Sequence, residues 1–214
     1  MKMLPALARP DAPQLLQIAG LDAMQLESFK FIQANLAAMA RQFGFLTAAI
    51  SLFEFCATIK TEDRMSSDWQ FVAARDGAMS IRNFAYAIAN VRRAIGQISN
   101  WVTLVDVSLL KQAHVDFEAA FPFSHKLRHS VAHPEFYADP KKDMAVTDAV
   151  NIGGIFVTEK GGNITINQGL FNNTFASTFE GDVVQYELSF ETCIKILDIC
   201  NRSFAAFVAV STVQ

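Results

Sequence analysis

Apolar side chains recur every three or four residues over most of the first hundred positions, the spacing of an amphipathic helix. From Asp22 onward Met24, Leu26, Phe29, Phe31, Ile32, Leu36 and Met39 follow it, and Phe43 to Ile59 continues in the same style. This predicts one long helix or two consecutive ones, bent near Gly44. Ser66-Ser-Asp68 offers capping oxygens to a second long helix that runs to about Gln97. Trp69, Ala73, Phe84, Ile88, Val91 and Ile95 fall on one side of it at about 100° per residue. A third helix is expected from Asp106 or Ser108 to Ala120, closed by Pro122, and a short fourth from Ser124 to Pro134.

The period then changes. Gly153-Gly-Ile-Phe-Val-Thr-Glu159 and Asn163-Ile-Thr-Ile-Asn167 read as two strands of a hairpin, with Gly161 and Gly162 supplying positive φ at its turn. Asp182 to Leu188 reads as a third strand. From Ser189, Phe190, Cys193, Ile194, Leu197, Cys200, Phe204 and Phe207 define a last amphipathic helix. The expected fold is mainly α: a helical bundle with a small antiparallel β insert, at about 151–189, before the C-terminal helix. Residues 1–12, with Pro5 and Pro10, read as an irregular leader to a single domain over 13–214.

Length and charge narrow the classes. A chain of 214 residues buries roughly 70% of its unfolded surface and needs no staple to fold. Its three cysteines, Cys56, Cys193 and Cys200, form no CxxC pair and read as buried thiols in a reducing compartment. The first ten residues hold no apolar run of signal-peptide length, so a cytoplasmic location is expected. Although 51% of residues are hydrophobic, the charge-free runs Gln42 to Phe53 and Ser203 to Gln214 stop at twelve residues, too short for a membrane helix. A formal charge of −3 excludes bulk basicity, so any nucleic-acid site must be local.

Candidate chemistry lies in Phe123-Ser-His-Lys-Leu-Arg-His-Ser-Val-Ala-His-Pro134. With His114, this stretch holds all four histidines of the chain, His125, His129 and His133 being the others. Histidine exchanges a proton near neutral pH, and the arginine fork fits phosphate oxygens. The spacing i, i+4, i+8 would put the three imidazoles on one helical face. A hydrolytic metal site would want a convergent carboxylate, yet the chain has no HExxH or ExxH, so no metal or other cofactor is expected. Pro134 also turns His133 away from helical geometry, which lets its ring and the long Arg128 side chain reach one pocket.

Arg128-His-Ser-Val-Ala-His133, after Leu127 and before a proline, resembles the R-x4-6-H signature of the HEPN superfamily of helical-bundle proteins, many of them metal-independent endoribonucleases. The family often places a polar residue after the arginine, and His129 fits. The resemblance covers about residues 20–137 and 189–211; the β insert departs from the minimal family pattern. It implies that His133 takes the proton from a ribose 2′-hydroxyl, that Arg128 stabilises charge on the phosphoryl oxygens, and that His129 positions the phosphate or protonates the leaving oxygen. It further implies RNA as substrate, a homodimer with a composite site, and a toxin or antiphage role with an antitoxin or other protein partner. The 19 phenylalanines also point to a dimer, being more apolar surface than a monomer readily hides. Two other readings use the same residues: a non-catalytic interaction module in which Arg128 and His133 are structural, and a metal-dependent hydrolase using His125 and His129.

Arg75, Arg82, Tyr86 and Arg93 lie within about 20° of a common direction on the second helix, opposite its apolar side. Cations with an aromatic among them suit phosphate tracking and base stacking. An ordinary solvated face would show the same pattern. Trp69 and Trp101 read as core or interface residues rather than stacking groups.

Overall fold

A computed structural model describes residues 7–16, 20–59, 64–98, 103–126, 146, 148–158 and 164–211. Among these the chain is mainly helical, with α1 at Ala23–Thr58, α2 at Arg64–Ile95, α3 at Val107–Ala120 and α4 at Phe190–Ala205. Five short strands lie between α3 and α4: β1 (Val150–Ile152), β2 (Ile155–Thr158), β3 (Gly169–Phe171), β4 (Thr174–Phe179) and β5 (Asp182–Glu187). Contacts divide the chain into two compact units. One holds Phe45–Arg82 and Phe121–Cys193; the other holds Leu7–Gly44, Asn83–Ala120 and Ile194–Gln214.

In the second unit α1 opens on a reciprocal cap. Asp22 Oδ1 accepts from the Gln25 amide at 2.8 Å, and Gln25 Oε1 accepts from the Asp22 amide at 3.2 Å, so two orphan donors of the first turn are satisfied. Ile32, Leu36, Met39 and Phe43 then face the core with no exposure. Asp106 caps α3 through the amides of Ser108 and Leu109, at 3.0 and 3.2 Å. Phe117 of α3 stacks on Phe84 of α2 at 5.6 Å between ring centres, both fully buried. Arg202 of α4 pairs with Asp116 of α3.

The first unit carries the sheets. β4 is buried along its whole length and lies between β3 and β5 in an antiparallel sheet. Its inward hydroxyls are not left bare, since Thr178 Oγ1 accepts from the Ile166 amide at 2.9 Å and Ser177 donates to the Ile166 carbonyl at 3.2 Å. Phe71 of α2 and Tyr186 of β5 both pack on Phe175 of β4, at 6.4 and 5.9 Å. The Tyr186 hydroxyl donates to the Ala74 carbonyl of α2, an approach open only because residue 77 is glycine. The C-terminal helix follows β5 directly, with Ser189 as its cap: Ser189 Oγ accepts from the Thr192 amide at 3.3 Å.

The long helices agree with the periodicity, and α1 is continuous through Gly44. Three expectations need correction. Ser66 lies inside α2, which starts at Arg64, and its hydroxyl donates to the Cys56 carbonyl at 2.9 Å instead of capping. The tight hairpin turn falls at Gly153 and Gly154, with φ of 56° and 78°, and pairs β2 with β1. Ile164 bridges Val146 rather than β2. Residues 159–163, with Gly161 and Gly162, lie outside the described residues. Trp69 is 51% exposed, because it starts the apolar arc of α2 at its edge, about 60° from the centre defined by Ala73, Phe84, Ile88 and Val91.

Among the described helices α1 is long and apolar enough to cross a membrane by length and composition, its most apolar 18 residues having a mean hydropathy of 1.4. Of that window 44% is buried inside the protein. Opposite the core face of α1, Met24, Glu27, Phe31, Ala34 and Arg41 are exposed in the second unit, at alternating three- and four-residue steps broken only by half-buried Ala38. Phe31 keeps 42% of its surface in solvent there and Met24 65%.

Candidate functional site

Arg128, His129 and His133 lie outside the described residues, as does Trp101. The chain enters their segment from a well-anchored point. α3 ends at Ala120, and Phe123 takes a φ of 60°, a left-handed conformation costly for a bulky side chain, which breaks the helical direction. A single 3-10 turn, Ser124–Lys126, follows; the backbone of His125 is its middle residue. Lys126 sits over the Phe123 ring at 5.6 Å, donates to Asp182 Oδ2 and lies 3.8 Å from Glu180 Oε2. Both carboxylates border the β4–β5 turn, formed by Glu180 and Gly181 with φ of 51° and 79°. The β insert therefore holds the residues that precede the arginine-histidine segment. Ser124 Oγ, fully buried beside that anchor, has no hydrogen-bond partner among the described residues.

The candidate RNA contacts are all on α2. Arg75, in the first unit, is exposed, as are Tyr86 and Arg93 in the second. Arg82 is only half-exposed and its Nε is buried, so it offers less of its guanidinium to a ligand. Arg93 also hydrogen-bonds Asn90 Oδ1 at 2.7 Å, which steadies its side chain.

A second cluster of cations lies within the second unit and was not evident in the sequence. Arg92 and Arg93 at the end of α2 and Lys111 of α3 line a cleft of about 300 Å³, with Ile95, Val107, Leu110 and Ala89 as its apolar wall. Beside it His114 is held below the usual histidine range, first by burial and then by the positive charge of Arg92, against a smaller opposing pull from Glu118 at 4.0 Å. The adjacent Arg92-Arg93 pair was the one signal present in the chain. Nothing in the spacing joins it to Lys111, eighteen positions further on in another helix.

The chain matches no family model, no curated protein and no solved structure. Its function must be argued from its own residues.

Proposed function

We propose that the chain is a metal-independent endoribonuclease of HEPN type, cleaving RNA by attack of a ribose 2′-hydroxyl on the adjacent phosphate. The observation that carries the reading is the Arg128-to-His133 spacing, which follows α3 and its 3-10 turn in a mainly helical chain. His133 accepts the 2′-hydroxyl proton, and Arg128 stabilises the charge that builds on the phosphoryl oxygens. His129 positions the phosphate or protonates the departing 5′-oxygen. The products carry a 2′,3′-cyclic phosphate and a 5′-hydroxyl. Arg75, Tyr86 and Arg93 guide the strand from the exposed side of α2, with a smaller contribution from Arg82. A cytoplasmic toxin or antiphage effector, restrained by an antitoxin or other protein partner, is the setting such chemistry fits.

The working form in this proposal is a homodimer, and the outer face of α1 supports it. Glu27, Lys30 and Arg41 carry the charges of that face, Glu27 and Arg41 fourteen residues apart. In a two-fold antiparallel pairing centred on Ala34, Glu27 and Arg41 each meet the other in the second copy, while Phe31 packs between them and Met24 lies just beyond. Glu27 is already within 2.9 Å of Lys30, but that pair is exposed and exchangeable. The same exposed face favours the second reading, a non-catalytic interaction module in which Arg128 and His133 are structural.

Cleavage of unstructured RNA by the purified chain in EDTA separates the two. Under the catalytic reading His133→Ala and Arg128→Ala each lower the rate by about 10²- to 10⁴-fold and leave the melting temperature within a few degrees of the parent. Absence of cleavage by the parent, or collapse of both variants, gives the interaction module instead.

A further inference from the structure

The cleft between Arg92, Arg93 and Lys111 has the makings of a ligand site distinct from the arginine-histidine segment. Three cations border it, and among the described residues no carboxylate lines it. Arg92 and Lys111 are exposed and take part in no ion pair among the described residues, so their donors are open to a ligand. Two acids, one in the cap of α3 and one on α3 itself, are engaged elsewhere. Asp106 spends Oδ1 on the cap of α3, and its carboxyl is held below the usual range by the Ser108 hydroxyl and the Leu109 amide. Glu118 faces His114.

The remaining wall is apolar. Ile95 and Leu110 are almost wholly buried, and Val107 is partly so, giving a firm floor beside the charges. A bare inorganic anion would use the cations and waste that floor. A purely apolar ligand would leave three charges unused. A volume of about 300 Å³ is at the lower end of small-ligand sites and matches a group with one phosphate and one flat ring system.

We propose that this cleft binds a nucleotide unit, its phosphate held by Arg92, Arg93 and Lys111 and its base laid over Ala89 and Val107, which Ile95 and Leu110 back from beneath. Guanidinium forks suit phosphate oxygens, and the planar base covers aliphatic surface. The unit is either a free mononucleotide or one residue of an RNA strand. Arg93 belongs both to this cleft and to the exposed side of α2 with Tyr86, so a strand could reach one from the other. The proposal does not require cleavage: a nucleotide site can exist whether or not Arg128 and His133 are catalytic.

The test is titration calorimetry of the full chain and of His133→Ala with AMP, adenosine and inorganic phosphate, and of the cleavage-deficient His133→Ala chain with a single-stranded RNA 8-mer, each repeated with Arg92→Gln/Lys111→Gln added. Both substituted cations are exposed, so the double variant should keep the parent melting temperature. AMP should bind at least tenfold more tightly than either adenosine or phosphate, and the double variant should lose about ten- to a hundredfold for each charge-assisted hydrogen bond removed. His133→Ala should bind as the parent does, which separates this site from the proposed catalytic one. If the 8-mer alone binds, and does so in a manner sensitive to the double substitution, the source is a strand rather than a free nucleotide. No binding of either AMP or 8-mer, or equal binding by parent and double variant, overturns the proposal. Loss of binding in His133→Ala as well does the same, because it moves the site to the arginine-histidine segment.

Discussion

Replacing Gly77 by alanine sets two known effects against each other at one point of α2. Alanine in a helix interior is favoured over glycine by about 1 kcal/mol. Against that, a Cβ at residue 77 would meet the Tyr186 hydroxyl inside contact distance, with Tyr186 Cζ at 3.2 Å and Leu46 Cδ1 at 3.5 Å. Tyr186 is 5% exposed and its hydroxyl donates to the Ala74 carbonyl, so it has no open direction to yield. Overfilling such a site costs about 1–3 kcal/mol, and displacing the hydroxyl from its acceptor adds about 1 kcal/mol. The net expectation is a loss of about 2 kcal/mol, or about 4–8 °C in Tm for a chain of this size. Urea unfolding followed by circular dichroism measures it. The decisive comparison is the same substitution in a Tyr186→Phe background: with the oxygen gone, the added methyl should cost about 1 kcal/mol or less. A rise in stability for Gly77→Ala, or an equal cost in both backgrounds, would refute the account of why glycine stands there.

Other outcomes follow from groups already described. Burial pushes the Cys193 thiol up to about 11 and Cys200 to about 12, and raises Tyr186 as well. Because these folded values exceed the unfolded ones, the stabilisation is complete below about pH 9 and fades as pH rises through 11 and 12, so stability should fall on the alkaline side. Iodoacetamide at pH 8 should leave both thiols unlabelled until urea is added. Phe117→Ala, which removes a fully buried ring stacked on Phe84, should cost about 3–5 kcal/mol in the same unfolding assay. Arg75→Gln with Arg93→Gln should flatten the salt dependence of single-stranded RNA binding by about 0.7 in slope for each phosphate that is no longer neutralised. An unchanged slope makes that side of α2 an ordinary solvated face.

The helices could be read from the sequence because their cores repeat at the helical period and their caps are local. Asp22 with Gln25, Asp106 with Ser108 and Ser189 with Thr192 all lie within three residues of what they bond. The strands were harder. β4, Thr-Phe-Ala-Ser-Thr-Phe, is buried on both faces, so it shows no alternation, and its hydroxyls find their partner at Ile166, distant in the chain. Gly153-Gly154 and Gly161-Gly162 offer the same turn chemistry, and only pairing with Val150–Ile152 distinguishes them. Of the site, exposure of Arg75, Tyr86 and Arg93 followed from the angle around α2, whereas the burial of Arg82 Nε depends on packing that no single-helix projection contains. Lys126 with Asp182 and Arg92 with Lys111 are juxtapositions made by the fold.

α1 and α2 each pass unbroken through the boundary between the two compact units, at residues 44–45 and 82–83. That gives the boundary an unusual thermodynamic standing. α4 also crosses it, at residues 193–194, so each unit contains part of the same three hydrogen-bonded rods, and melting one frays the helices that the other is built on. Calorimetry should record a single cooperative transition, and native-state hydrogen exchange should show slow amides running continuously across residues 44–45 and 82–83. Neither a protease nor a truncation at those points would release a piece that folds alone, because the cut falls inside helix rather than in a linker.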